Sequence, residues 1–129
     1  MNSKTERLTA HLTPGHTPGG TSWTWMSCEE GRCLNVVYAD SLTPVSAPDF
    51  KFTRAAHALE DFEKSFTVLS ALPCDILLST HPDASSFWTR LARRDSGDSH
   101  SLVDRQACAK YVEASRAALH SRIAKENGP

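Results

Sequence analysis

Two histidines in this sequence stand where a side chain could be presented to a metal ion. His16 lies in the stretch His11–Gly20, where Pro14 and Pro18 fix φ at about −65° and the glycines allow sharp turns. Such a loop leaves an imidazole little backbone freedom, which suits a metal ligand. The same composition is also typical of a plain turn with a solvent-exposed histidine, and the loop alone leaves both interpretations open.

His81 occupies a similar place. It follows the short apolar run 75–80, which predicts a strand buried on both faces, and it precedes a proline. Asp40 and Ser41 end a further predicted strand. Because strand ends at one edge of a sheet converge, we expect these side chains to lie near His16, in a set that suits zinc. Taken singly, a histidine such as His81 more often caps a strand.

The surrounding elements predict an α/β fold. Alternating residues predict strands over 7–12, 21–27 and 34–39, with a hairpin turn at 28–33. Apolar residues at spacings of three and four predict helices over 55–72, 84–94 and 104–125. Together with the strand before His81, this order predicts a sheet with helices packed on it.

The apolar faces of the helices are predicted as follows. The first helix has an apolar stripe formed by Leu59, Phe62, Phe66 and Leu69. The second has Phe87, Trp88 and Leu91 as its apolar side. The third helix begins with Asp104 as its N-cap. Its predicted core face consists of Ala107, Tyr111, Ala114 and Ala118, with Leu119 and Ile123 flanking it.

Four cysteines bear on the compartment. Cys28 and Cys33 flank a short glycine-containing turn, a spacing that suits a disulfide closing a hairpin, and Cys74 and Cys108 remain. Two oxidised pairs would indicate a periplasmic or extracellular protein. Four reduced, buried cysteines are the alternative. A cysteine zinc site is less favoured, because no second close pair completes four ligands.

Composition excludes several classes of function. A net charge of −1 over 129 residues lacks the excess of positive charge that is typical of a nucleic-acid-binding domain. No apolar run approaches the roughly 20 residues of a membrane span. The start of the chain, residues 1–7, has no apolar segment and is not a secretory signal. We expect the protein to be cytosolic, or its true start to be missing.

Three segments carry a resemblance to a known family. The stretches His11–Gly20, Val37–Leu42 and Leu72–Pro82 resemble the metallo-β-lactamases, and most closely their third subclass, the dizinc enzymes that use histidine and serine where the first subclass uses cysteine. The likeness runs from about residue 7 to residue 112. The loop around His16 is shared across the wider metallo-hydrolase superfamily, whereas the other two segments are more specific to the subclass.

The resemblance implies roles for individual residues. His16 is similar to the histidine that completes the first zinc site, and His81 to a ligand of the second zinc. Ser41 and Thr43 stand where the subclass binds the substrate carboxylate, and Ser41 also where a bound water is oriented. Many superfamily hydrolases bridge the two metals with an aspartate near the position of Asp40, but in the resembled subclass this aspartate is not usually a ligand. The resemblance further implies the disulfide Cys74–Cys108 and, in some members, a hairpin disulfide like Cys28–Cys33.

The family's main metal motif, His-x-His-x-Asp-His, is absent from the sequence. The resemblance therefore implies that residues 1–129 form a single partial domain, the C-terminal half of an αββα sandwich with a mixed sheet and helices on one face. Such a half would supply one ligand per zinc and no other catalytic residue. It would lack its N-terminal partner half and could self-associate through an exposed face holding Trp23, Trp25, Phe62 and Phe66.

For the complete enzyme, the resemblance implies hydrolysis of the β-lactam amide bond with two zinc ions, and hence antibiotic resistance. This half alone is expected to be inactive, and the full-length protein to be periplasmic or secreted, with no signal peptide in the present chain. One alternative is a thioester or lactone hydrolase of the same superfamily, which Asp40 keeps open. Another is a truncated product without function or a small binding domain on the same scaffold.

Overall fold

A computed structural model describes residues 6–129. Its strands are β1 (Thr9–Leu12), β2 (Thr21–Glu29), β3 (Arg32–Ala39) and β4 (Ile76–Ser79), and its helices are α1 (Ala58–Ala71), α2 (Phe87–Asp95) and α3 (Ala107–Asn127). Two short 3-10 turns cover Phe52–Arg54 and Pro82–Ser85. The predicted order of strands and helices is confirmed. The prediction about the N-terminal segment falls mostly on residues 1–5, which lie outside the described residues.

The four strands form one sheet in the order β1-β2-β3-β4. The first three strands are antiparallel, whereas β4 runs parallel to β3, so that the sheet is mixed as expected. In β4, Leu77 and Ser79 are buried but Ile76 and Leu78 are only half-buried. The prediction that this strand is buried on both faces is therefore wrong, because α1 and α3 cover the face of Leu77, whereas the opposite face is bordered, within residues 6–129, only by Phe87 of α2 and the loop that follows this helix.

The core lies between that side of the sheet and helices α1 and α3. Its members include Val37, Leu42, Phe52, Phe62, Phe66, Leu69, Leu77, Tyr111 and Leu119. Phe62 and Phe66 are both 0% exposed, so the expectation that they lie on an open face is wrong. The stripe of α1 faces the sheet, where the rings of Phe62 and Phe66 lie 6.1 Å apart between centroids.

The predicted core face of α3 is confirmed in part, since Ala107, Tyr111 and Leu119 are buried. Ala114 and Ala118 are exposed, and Cys108 and Val112 are buried in their place. The helix begins at Ala107, and Asp104 is not its N-cap. Asp104 instead lies in the preceding turn, where its carboxylate accepts a hydrogen bond of 2.9 Å from the Gln106 amide.

The predicted helix over 84–94 is divided in two. Ser86 has φ +54°, a left-handed conformation that separates the 3-10 turn Pro82–Ser85 from α2. Trp88, predicted on the apolar side, is exposed, while Arg90 is the buried residue of α2. The apolar spacing could not indicate this, because a guanidinium rarely faces a protein interior.

Both proposed disulfides are present. Cys28 and Cys33 are directly opposite each other in the β2–β3 ladder and are bonded. Cys74, just before β4, is bonded to Cys108 in the first turn of α3. The second disulfide therefore fastens the long C-terminal helix to the edge strand of the sheet.

The face of the sheet away from α1 and α3 carries exposed apolar side chains. Trp23 is 40% exposed and Tyr38 is 36% exposed, and the two residues are opposite each other in the β2–β3 ladder. Trp25 is half-buried. The expectation that Trp23 and Trp25 lie on an open face is confirmed. Within residues 6–129, no helix combines the length and the hydrophobicity that a membrane span requires.

Candidate metal centre

The register of the sheet brings the predicted site residues to one edge. Leu12 is paired with Thr21, and Ala39 is paired with Ser79. The amide of Thr80 continues this alignment with a hydrogen bond of 3.1 Å to the Ala39 carbonyl. The loop 13–20, the segment 40–43 and the turn after β4 therefore all leave the sheet at this edge, as the sequence predicted.

The loop that carries His16 is fixed at three points. The Thr13 amide donates to the Gly20 carbonyl across 2.8 Å and closes the loop. The Ser65 hydroxyl of α1 donates to the Pro14 carbonyl. Gly15 has φ +148° and lies so close to α1 that a Cβ there would be 2.7 Å from the Phe62 ring. The loop therefore needs glycine at this position in order to rest on the helix.

The imidazole of His16 has a defined orientation. Its Nδ1 lies 2.6 Å from the carbonyl oxygen of Thr43. A carbonyl oxygen can only accept a hydrogen bond, so Nδ1 carries the proton and the neutral ring keeps a free lone pair on Nε2. Metal-binding histidines are commonly oriented in this way, through a hydrogen bond from the other ring nitrogen to a backbone carbonyl.

Ser41 and Thr43 form a small hydroxyl pair beside this contact. Their side-chain oxygens are 3.0 Å apart, and the Thr43 amide donates to Ser41 Oγ across 3.3 Å. Ser41 is only 3% exposed, whereas Thr43 is exposed. In this arrangement Thr43 is the residue that a solute can reach, and Ser41 holds it in place.

The backbone of Asp40 is held from inside the protein. The hydroxyl of Tyr111 donates to the Asp40 carbonyl across 2.9 Å, and the Asp40 amide donates to Ser22 Oγ across 3.0 Å. Burial raises the pKa of Tyr111 to about 12, so the hydroxyl stays protonated and remains a donor. Sequence analysis placed Tyr111 in the core but missed this role, because residues 71 positions apart showed no pattern that links them.

His81 lies directly before the 3-10 turn Pro82–Ser85 and is exposed. Its backbone is fixed by Ser79, whose hydroxyl donates to the His81 carbonyl across 2.7 Å and lies 2.8 Å from the Ser85 hydroxyl. Within the part of the chain that the structure describes, Thr80 Oγ1 is a buried side-chain oxygen without a hydrogen-bond partner. Thr80 directly precedes His81 in the chain, and a buried hydroxyl of this kind ordinarily has a hydrogen-bond partner.

The donor set at the edge fits zinc only in part. His16 offers Nε2 and His81 offers an exposed imidazole, and nitrogen ligands suit zinc. No group of three or more His, Cys, Asp or Glu side chains that could hold a metal ion occurs in residues 6–129. A zinc site with three or four protein ligands would therefore need ligands from outside this part of the chain.

Solved structures give close matches over nearly the whole chain. The Rm3 metallo-β-lactamase superimposes with a TM-score of 0.94 at 52% sequence identity, covering 99% of this chain and 49% of that one. MEM-A1, a subclass B3 metallo-β-lactamase from a soil metagenome library, superimposes with a TM-score of 0.89 at 44% sequence identity, and the match covers 94% of this chain and 47% of MEM-A1.

A third match is the metallo-β-lactamase MIM-1 from Novosphingobium pentaromativorans, with a TM-score of 0.84 at 36% identity. It covers 98% of this chain and 45% of that one. The chain therefore spans about half the length of the relatives it matches. No protein-family model matches the chain.

Proposed function

Because the chain belongs by sequence and fold to the subclass B3 metallo-β-lactamases, we propose that it supplies the C-terminal half of a zinc-dependent hydrolase that opens the β-lactam amide bond. The observation that carries this proposal is the orientation of His16, whose Nδ1 donates to Thr43 and leaves Nε2 free at the same sheet edge as His81. The other half would cover the open face of the sheet.

In this proposal, His16 and His81 each provide one ligand, to two different zinc ions. Zinc supplies Lewis-acid polarisation of the substrate carbonyl and lowers the pKa of a bound water. The Thr43 hydroxyl, held by Ser41, donates to the substrate carboxylate and so orients the ring. Tyr111 and Ser22 fix the Asp40 backbone, and thereby the segment that presents Ser41 and Thr43.

The chain alone is proposed to bind zinc weakly and to be inactive, since a single preorganised ligand per ion gives low affinity. The two disulfides support a periplasmic or secreted location for the full-length protein. The hydrolase would then meet β-lactams outside the cytoplasm, where it would confer antibiotic resistance.

The decisive experiment is reassembly. The chain is refolded with an N-terminal half from a relative that carries His-x-His-x-Asp-His, and hydrolysis of a carbapenem and a penicillin is measured with zinc. We expect activity from this reassembled protein, its loss on adding a chelator, and none from the chain alone. Turnover by the purified chain alone, or none by a folded and zinc-loaded assembly, would contradict the proposal.

The same assay examines the closest competing function. The carboxylate of Asp40 packs against Gly20, where an added Cβ would lie 2.8 Å from Oδ2. Asp40 therefore faces the loop of His16, as a superfamily hydrolase with an aspartate ligand would require. Thioester and lactone substrates serve as the comparison, and faster turnover of these than of β-lactams would favour that function instead.

A further inference from the structure

A cavity of about 350 Å³ lies between α3 and the segment that runs from β4 into α2. Its charged lining consists of three cations and one carboxylate, namely Arg90, Arg93, Lys110 and Asp104. None of His16, Ser41, Thr43 and His81 lines it, so it is separate from the candidate metal centre. Leu77 and Tyr111, core residues of the helix-covered side of the sheet, form part of its wall.

Arg90 is the most unusual residue of this cavity. It is 6% exposed, and its guanidinium donates to the carbonyls of Leu77 at 2.7 Å, Ser85 at 3.2 Å and Leu102 at 3.3 Å. Among residues 6–129, it forms no ion pair with a carboxylate. A guanidinium has five N–H groups, so three carbonyls leave two donors unused. The carboxylate of Asp104 acts on Arg90 through its charge but forms no direct ion pair with it. A buried cation that is only partly neutralised is costly, and a bound anion would offset that cost.

The one carboxylate of the cavity is already engaged. Asp104 accepts hydrogen bonds of 2.9 Å from the Lys110 ammonium and of 2.9 Å from the Gln106 amide. The bond from Lys110 is the main reason why the pKa of Asp104 is lowered, so the carboxylate stays ionised. This single carboxylate contacts Lys110 directly and acts on Arg90 at longer range, so it does not neutralise all three cations, and the charged lining of the cavity is net positive.

We propose that this cavity binds a small inorganic oxyanion of the phosphate type, between the guanidinium of Arg90 and the cationic groups of Arg93 and Lys110. The volume accommodates such an ion together with waters. Oxyanions suit the planar fork of an arginine, which can donate two parallel hydrogen bonds. Because Arg90 also holds the carbonyls of Leu77 and Ser85, on both sides of His81, the anion stabilises the turn that carries this histidine.

The test is a titration of the 129-residue chain with inorganic phosphate, with ionic strength held constant by sodium chloride. The readouts are the thermal midpoint and the side-chain Nε–H signal of Arg90 in an NMR spectrum. We expect a saturating shift of that signal and a rise of the midpoint. A response that does not saturate, or that sodium chloride reproduces, overturns the proposal.

Two double variants locate the site. Arg93→Gln with Lys110→Gln removes two cations from the cavity and should weaken binding by about tenfold or more. Arg54→Gln with Lys125→Gln removes two exposed cations elsewhere and should leave binding unchanged. Both pairs leave Arg90 in place, so the result does not depend on a substitution in the core. If the two double variants weakened phosphate binding equally, the effect would be one of overall charge, and the proposed site would be contradicted.

Discussion

The imidazole Nδ1 of His16 donates to the carbonyl oxygen of Thr43 across 2.6 Å. This single contact joins the loop after β1 to the segment after β3, and it joins a proposed zinc ligand to a proposed substrate-binding residue. It involves the backbone of Thr43, not its side chain. Orientation of the metal ligand and contact with the substrate are therefore separable by mutation.

Thr43→Val tests that separation in the reassembled protein. The substitution removes the hydroxyl but keeps the carbonyl that orients His16. We expect KM to rise by about tenfold, the value of one lost hydrogen bond to a charged group, with zinc content unchanged. His16→Ala should instead lower the zinc content, and His120→Ala, at an exposed position of α3, should change neither quantity. Loss of zinc in Thr43→Val would contradict the assignment.

Gly15→Ala should destabilise the chain by about 2 kcal/mol or more, because it adds both backbone strain and a clash with Phe62. Gly19→Ala is a matched control in the same loop, since a Cβ there has no atom within 4 Å. The measurement is the free energy of unfolding by urea. Equal stability of the two variants would show that the loop does not rest on α1 as described.

Glu126 makes the stability of the chain depend on pH. Burial alone would raise its pKa, but hydrogen bonds from the amides of Thr53 and Phe52 and from Arg122 outweigh that effect and lower the pKa to about 2 from an ordinary value of 4.5. A lowered pKa means that the stabilisation is complete above pH 4.5 and is lost as the pH falls toward 2.

Glu126→Gln should therefore destabilise the chain by about 1–3 kcal/mol at neutral pH, and the difference from the unmutated chain should shrink between pH 4.5 and pH 2. Glu113→Gln, at an exposed position of the same helix, is the control. Chemical denaturation at a series of pH values gives the comparison. A difference that stays constant across this range would rule out the charged form of Glu126 as the stabilising species.

The sequence predicted the order of elements and the common edge of the site because these depend on local spacing and on strand ends. Hydrophobic periodicity located α1 and its stripe at Phe62, Phe66 and Leu69. Periodicity could not show that the side chains of Arg90 and Glu126 are buried, because their hydrogen-bond partners are backbone carbonyls and amides from other segments of the chain. Nor could it orient His16, because the accepting carbonyl belongs to a segment 27 residues away.

The error over Phe62 and Phe66 has a related cause. The amphipathic pattern of a helix shows that one stripe is buried, but it does not show which face of which sheet buries it. In α3, Ala114 and Ala118 were wrongly placed in the core, because alanines give little contrast between the faces of a helix, and Cys108 and Val112 are buried instead. Tertiary contacts decided both cases.

The two disulfides should differ in their contribution to stability. Cys74 and Cys108 are 34 residues apart, whereas Cys28 and Cys33 are 5 apart. Loop-entropy estimates give about 4 kcal/mol for the long loop and about 2 kcal/mol for the short one. Replacing each pair by alanine and measuring unfolding by urea should reproduce this order. A larger loss from the hairpin pair would show that the chain-entropy argument does not govern this fold.

The open face of the sheet should drive self-association of the chain when no partner half is present. Trp23→Lys with Tyr38→Lys places two charges among exposed apolar groups of this face, so the mass measured by sedimentation equilibrium should shift toward the monomer. The same variant should reassemble poorly with an N-terminal half, because the charges would be buried there. Met26→Lys, at a 55% exposed position of β2 whose side chain lies on the opposite face from Trp23, should affect neither quantity. If Met26→Lys dissociates the chain equally well and the double variant still reassembles, the open face is not the surface that the partner half covers.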